Sequence, residues 1–298
     1  PIAQLLAQQD AWAQAQLPHY PPLPAPLRFD AQVAKQGPQA LRTAFLTALR
    51  VSPESRLALY IQPDPWATAP QAERLAHNTV SALPERDKDG GGHTFVRLRP
   101  GEAVAPLAVL ASASDEPDYG MDVNLWEDNP SSWGRRYGFG KIPFGNPNLE
   151  FTTQGPFHMG FYYESPVIYM AASFLKRTYP LLRIHQYKGL SELAFRSGHP
   201  YWGWRFAGLA MHYLQDLTQP YHASLAPDFS TVRLMGINLL SILGMPSAKN
   251  DMIILLSNRH FVLERYESQM IQAAAQTRKA SSVEQALHDT RTDAAYPA

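Results

Sequence analysis

His212 and Asp216 stand four residues apart in a stretch, 201–217, whose apolar residues recur at helical spacing. On a helix that spacing places both side chains on one face, one turn apart. Pro220 cannot continue a helix, so the chain turns there and His222 follows just past the helix end, near the same face. His260 and Glu264 repeat the four-residue spacing further along. A single histidine–acid pair of this kind is most often a surface hydrogen bond. Two pairs with a histidine between them would require several separate coincidences. Imidazole nitrogens and carboxylate oxygens are donors that zinc favours. Two zinc ions sharing such a cluster could clamp a phosphate and supply a hydroxide at neutral pH.

The elements that must position these residues read as helices. Helical patterns cover 160–177, 186–197, 201–217 and 257–277, with a shorter one at 282–290. Upstream, helical spacing appears at 30–50 with a break at Pro38, at 70–83, and at 102–112. Residues 1–28 are expected to form an extended N-terminal segment, because 19–26 is dense in proline. Residues 87–92 form a charged, glycine-rich loop. From 115 to 156 no period is sustained, and a long ordered loop is expected there, of the kind that often carries function. Strand alternation is scarce. The fold class expected is all-α: one helical domain, 1–298, with a long ordered loop and an apolar insertion at 223–259.

Composition narrows the chemistry. The chain has 298 residues, with 26 basic and 26 acidic side chains and no net formal charge. A dedicated nucleic-acid binder usually carries a basic excess, so no stable nucleic-acid partner is expected. There are no cysteines. That excludes disulfides, zinc–thiolate sites and cysteine nucleophiles together. Residues 1–16 show no positive stretch followed by an apolar run, and no apolar stretch reaches the ~20 residues needed to cross a bilayer.

The sequence His212-Tyr-Leu-Gln-Asp216-Leu-Thr-Gln-Pro-Tyr-His222 resembles the central motif of bacterial zinc-dependent phospholipases C, whose fold and ligand pattern are shared by single-strand-specific zinc nucleases. The spacing of the later His260-x-x-x-Glu264 matches as well, and the resemblance covers roughly 115–270. It implies an all-helical fold holding two or three zinc ions. It implies that His212 and Asp216 bind one zinc, with Asp216 bridging to another, and that His222, His260 and Glu264 bind a second. Upstream, Asp118-Tyr119 and His158 resemble the residues that complete the first zinc site, with Asp115 and Asp122 as alternatives to Asp118. The third zinc of the family uses an N-terminal Trp. This chain begins with Pro1 and its Trp12 is internal, which leaves His77 and His93 as possible contributors.

The reaction implied is hydrolysis of a glycerophospholipid to diacylglycerol and a phosphorylated head group. Asp118 would orient or deprotonate the attacking water, and Tyr119 would hold a choline ammonium by cation–π attraction. The resemblance also implies a secreted or periplasmic protein. The alternative is a nuclease or nucleotidase, with stacking and charge from 126–137, including Arg135 and Arg136. A structural, non-catalytic zinc site is the third reading. The apolar segment 234–256 is expected to be a helical hairpin in the core or a subunit interface, or else a lid in transient contact with the membrane surface that holds the phospholipid. His19, His185, His199 and His288 lack ligand spacing.

Overall fold

Residues 1–64, 73–84 and 94–291 are described by the structure, a computed structural model. The chain is mainly helical. It divides into two compact units, Pro1–Leu225 and Ala226–Ala298.

In the first unit the elements run α1 (Ile2–Gln16), α2 (Pro38–Ala48), β1 (Tyr60–Ile61), β2 (Arg74–Leu75), α3 (His77–Val80), β3 (Phe95–Arg97) and α4 (Pro106–Ser114). After a 3-10 turn at Glu116–Tyr119 come four short helices: α5 (Gly134–Tyr137), α6 (Glu150–Thr153), α7 (Gly155–His158) and α8 (Pro166–Ala171). The unit closes with α9 (Pro180–Arg196), α10 (Pro200–Asp216) and α11 (Pro220–Ala223). Six of these helices, α2, α4 and α8–α11, start on proline. Its fixed φ suits the first helical position, where its missing N–H leaves nothing unpaired. The three short strands form an antiparallel sheet in the order β1-β3-β2.

Helix α10 lies at the centre, packed against α9 on one side and α4 on another. Phe206, Leu209 and Tyr213 of α10 join Leu46, Leu49, Met121, Tyr187 and Leu190 in one buried cluster. A second cluster gathers Trp126, Tyr137 and Phe139 from the irregular region with Phe157 of α7 and Tyr179 at the start of α9. Burial of these rings explains how 115–156 stays ordered with so little regular structure.

Several expectations need correction. Residues 2–16 are helix and not extended, and α1 docks on α9 through Gln9 Nε2, which donates to Gln186 O at 2.9 Å. A Cβ on Gly189 would meet Gln9 Nε2 at 2.6 Å, so glycine permits that approach. The proline-dense stretch that follows is irregular apart from a 3-10 turn at Ala25–Leu27. The buried Arg50 guanidinium fixes it by donating to the carbonyls of Pro21 and Pro22. Within the described part of 70–83 the chain forms β2 and α3 instead of one helix, and 87–92 lies outside the described residues. Residues 160–177 hold only α8 and a 3-10 turn, Ser173–Lys176.

The second unit contains α12 (Thr231–Ile242), α13 (Ser247–Thr277) and α14 (Ser282–Leu287). The pattern expected from 257 to 277 is the C-terminal part of α13, which starts ten residues further upstream. Helices α12 and α13 pack together as a hairpin. The outer side of α12 leaves Val232, Met235, Leu239, Ile242 and Leu243 exposed. Their 3-4-3-1 spacing forms an apolar stripe. No helix among the described residues is long and apolar enough to cross a membrane.

Candidate metal centre

One face of α10 builds the site. Arg205, Gly208, His212 and Asp216 follow each other at three- or four-residue steps and so lie along one side. Arg205 is buried and pairs with Glu116 through two guanidinium nitrogens, its Nε donating to Oε2 at 2.9 Å. That pair ties the 3-10 turn carrying Asp118 to α10. One turn on, Gly208 lets α4 come close: a Cβ there would lie 2.4 Å from Leu110 O and 2.6 Å from Ala113 Cβ. The close approach brings the end of α4 to His212, whose Nδ1 is 2.6 Å from Ser114 O. A carbonyl can only accept, so Nδ1 carries the proton and Nε2 presents a lone pair.

His212 Nε2 meets the other donors. It lies 2.9 Å from His158 Nδ1, 3.3 Å from Asp216 Oδ2 and 3.8 Å from Asp118 Oδ1. His158 Nδ1 is 3.0 Å from Asp216 Oδ2 and 3.7 Å from Asp118 Oδ1. Asp118, His158 and His212 form a group able to hold a metal ion, and Asp216 Oδ2 faces the same nitrogens. Asp216 uses its other oxygen, Oδ1, toward His222 Nδ1 at 2.8 Å. His222 sits on α11, whose start is capped by Gln219 and whose His222 carbonyl accepts from Gly160 N at 2.8 Å.

The electrostatics favour a positive charge at this point. Burial pushes the His158 pKa down, but the carboxylates of Asp216, Asp118 and Asp122 outweigh it and raise the value to about 9. Burial would raise Asp216, yet His158, His222 and His212 hold it well below the usual carboxylate range. Asp216 Oδ2 is buried without a geometrically sound hydrogen bond, and so is His158 Nε2. Two imidazoles and two carboxylates are a donor set that suits zinc, and the orphaned carboxylate oxygen fits a cation.

The three upstream aspartates separate by environment. Asp118 points its Oδ1 at the imidazoles with a side chain 55% exposed. Asp115 accepts from Gln62 Nε2 at 2.8 Å. Asp122 is fully buried, where it accepts from Arg183 Nε at 2.9 Å and from the Tyr213 hydroxyl. Its Oδ2 is 3.6 Å from His158 Nε2, behind the ring. Arg183 spends its remaining donors on Leu49 O, Arg50 O and Gln186 Oε1. This buried framework of Arg183, Asp122, Arg205 and Glu116 escaped sequence reading. Neither partner's position along the chain signals the other, the partners standing 61 and 89 positions apart.

His260 and Glu264 lie in the second unit, on α13, with Nε2 and Oε1 2.8 Å apart. Tyr119 does not offer an open ring face: it is 8% exposed, in a cluster with Tyr60, Leu75, Val80 and Phe95, and its hydroxyl accepts from Gln62 Nε2 at 3.0 Å. Burial, with Asp115 and Asp118 nearby, raises its pKa. In 126–137, the stretch expected to stack and carry charge in the nuclease reading, Trp126 and Tyr137 are buried in the core and Trp133 is half-buried against them, while Arg135 and Arg136 are exposed. His77 packs near the Phe95 ring and belongs to no metal-competent group among the described residues. His93 lies outside the described residues. The Trp12 ring stacks on His185 at 3.8 Å.

No protein-family model matches this chain, and no match was found among curated proteins or solved structures.

Proposed function

We propose that this protein is a zinc-dependent phosphodiester hydrolase, most closely of the phospholipase C type. The observation that carries the reading is the convergence of Asp118, His158, His212 and Asp216 donor atoms on one point. These four residues would hold one ion. The resemblance adds His222, His260 and Glu264 as further zinc ligands. When bound, zinc supplies a Lewis acid that draws charge from a phosphate and makes water a nucleophile near neutral pH.

The residues around it do the rest. Ser114 O holds His212 in the tautomer that turns a lone pair inward. Asp122 stands behind His158 and favours the ring orientation that turns Nδ1 to the site. Asp118 is the solvent-reaching carboxylate, placed to orient an attacking water and take its proton.

Two observations favour lipid over nucleic acid as substrate. Of the aromatic rings in 126–137, the stretch expected to stack on bases, Trp126 and Tyr137 are buried and Trp133 is half-buried against them. The outer stripe of α12 is apolar and exposed, as a surface that touches a lipid interface would be. Secretion or export to the periplasm belongs to the same reading. Parallel assays on phosphatidylcholine vesicles and single-stranded DNA test it. Phosphocholine release with little DNA cleavage is expected; DNA cleavage without lipid hydrolysis would transfer the site to the nuclease reading.

A further inference from the structure

Gln154 is the residue just before α7, four positions ahead of His158, and its side chain is buried. Its backbone is fixed from both sides. The preceding Thr153 accepts from Asn124 N through Oγ1 at 2.9 Å and from Trp126 Nε1 through its carbonyl at 2.7 Å. The carbonyl of Gln154 itself accepts from Phe157 N at 2.8 Å. So fixed, the side chain reaches Asp118, with Nε2 donating to Oδ1 at 3.4 Å.

Two features set this contact apart. Asp118 is the most exposed of the four donors, and it sits on a single 3-10 turn where the others lie on helices or are buried. It is the ligand with the least to hold it. Gln154 Oε1, in turn, is buried with no hydrogen-bond partner. A leucine there would fill similar space without an unpaired acceptor, so packing alone does not account for the amide.

We propose that Gln154 is a positioning residue, whose amide N–H holds the Asp118 carboxylate toward the two imidazoles. The inference rests on the metal-centre reading above. Groups that orient metal ligands typically change affinity by about 10–100-fold when removed.

The test measures zinc affinity by chelator competition, the visible spectrum of the cobalt(II)-substituted protein, and thermal unfolding of the metal-free protein. Wild type is compared with Gln154→Leu and Gln154→Met, the unbranched second variant serving if the first does not fold. The expected result is zinc binding weakened about 10-fold or more and an altered cobalt spectrum, with the metal-free melting temperature unchanged or raised. Unchanged affinity and spectrum in variants of a zinc-binding wild type would overturn the role of Gln154 alone. Weakened binding together with a lowered metal-free melting temperature would assign Gln154 to packing. A wild type that binds no zinc would overturn this inference and the reading beneath it.

Discussion

His212 Nε2 lies 2.9 Å from His158 Nδ1, with the two rings nearly perpendicular. Because Ser114 O fixes the proton of His212 on its far nitrogen, the near nitrogen is an acceptor. A proton on His158 Nδ1 can satisfy it, and the carboxylates of Asp118 and Asp216 beside the rings favour a positive charge there, on a protonated His158 or a bound metal ion.

The metal-free protein should accordingly be pH-sensitive. His158 is raised from an ordinary value of 6.5 to about 9 by its carboxylate neighbours, against the effect of burial. A raised folded-state pKa stabilises fully below the unfolded value and is lost as pH climbs through the folded one. With chelator present, thermal stability should fall between pH about 6.5 and 9, and His158→Gln should flatten that fall. Asp216, shifted the other way, would act only as pH drops below its ordinary 3.8, outside this window. A wild-type profile flat from neutral to alkaline pH would contradict the account.

Helix packing sets the position of Ser114, so Gly208 should be intolerant. Gly208→Ala puts a methyl within 2.4 Å of Leu110 O. Overpacking of this kind costs about 1–3 kcal/mol, and the displaced α4 should also weaken zinc binding. Gly236→Ala is the contrast: nothing lies within 4 Å of a Cβ there, and alanine should add roughly 0.5–1 kcal/mol of helix stability. Denaturant unfolding of both variants checks the pair, and equal effects would refute the close-approach argument.

The ligands should be separable from ordinary histidines. His212→Ala and His260→Ala should each lower phosphodiester turnover by orders of magnitude, whereas His288→Ala should match wild type. Steady-state kinetics decide this. Full activity in either of the first two variants would mean that residue is no ligand.

The exposed stripe of α12 gives a test on substrate form. Each Å² of apolar surface removed from water contributes roughly 25 cal/mol, so a few leucines at a lipid interface would add several kcal/mol to association. Replacing Leu239, Leu240 and Leu243 by Ser should weaken hydrolysis of vesicle phospholipid while sparing a short, soluble phosphodiester. Equal loss on both substrates would indicate a packing role, and no loss on either would remove membrane contact from the account.

How much was legible in the sequence depended on whether the signal was local. The four-residue spacing of His212 and Asp216 gave their shared face directly, and helical spacing located α10 and most of α9, although α9 starts at Pro180, ahead of the 186 expected, and the turn expected at Pro220 is the short helix α11. Helix α1 was hidden because its buried face reads Leu6, Gln9, Ala13, too weak a stripe to stand out. The choice among Asp115, Asp118 and Asp122 could not be made from spacing, since it is decided by distant partners: Gln62, Gln154 and Arg183. The burial of Tyr119 was hidden for the same reason. Its neighbours Tyr60 and Phe95 arrive from a small sheet whose strands are only two or three residues long.

The most direct test is the zinc content of catalytically active protein, measured by elemental analysis on the preparation that hydrolyses phosphatidylcholine. The seven residues proposed as ligands, Asp118, His158, His212, Asp216, His222, His260 and Glu264, are too many for one tetrahedral ion. The account predicts at least two zinc ions per chain, with hydrolysis abolished when they are stripped by chelator. Active protein holding one zinc or none would contradict it.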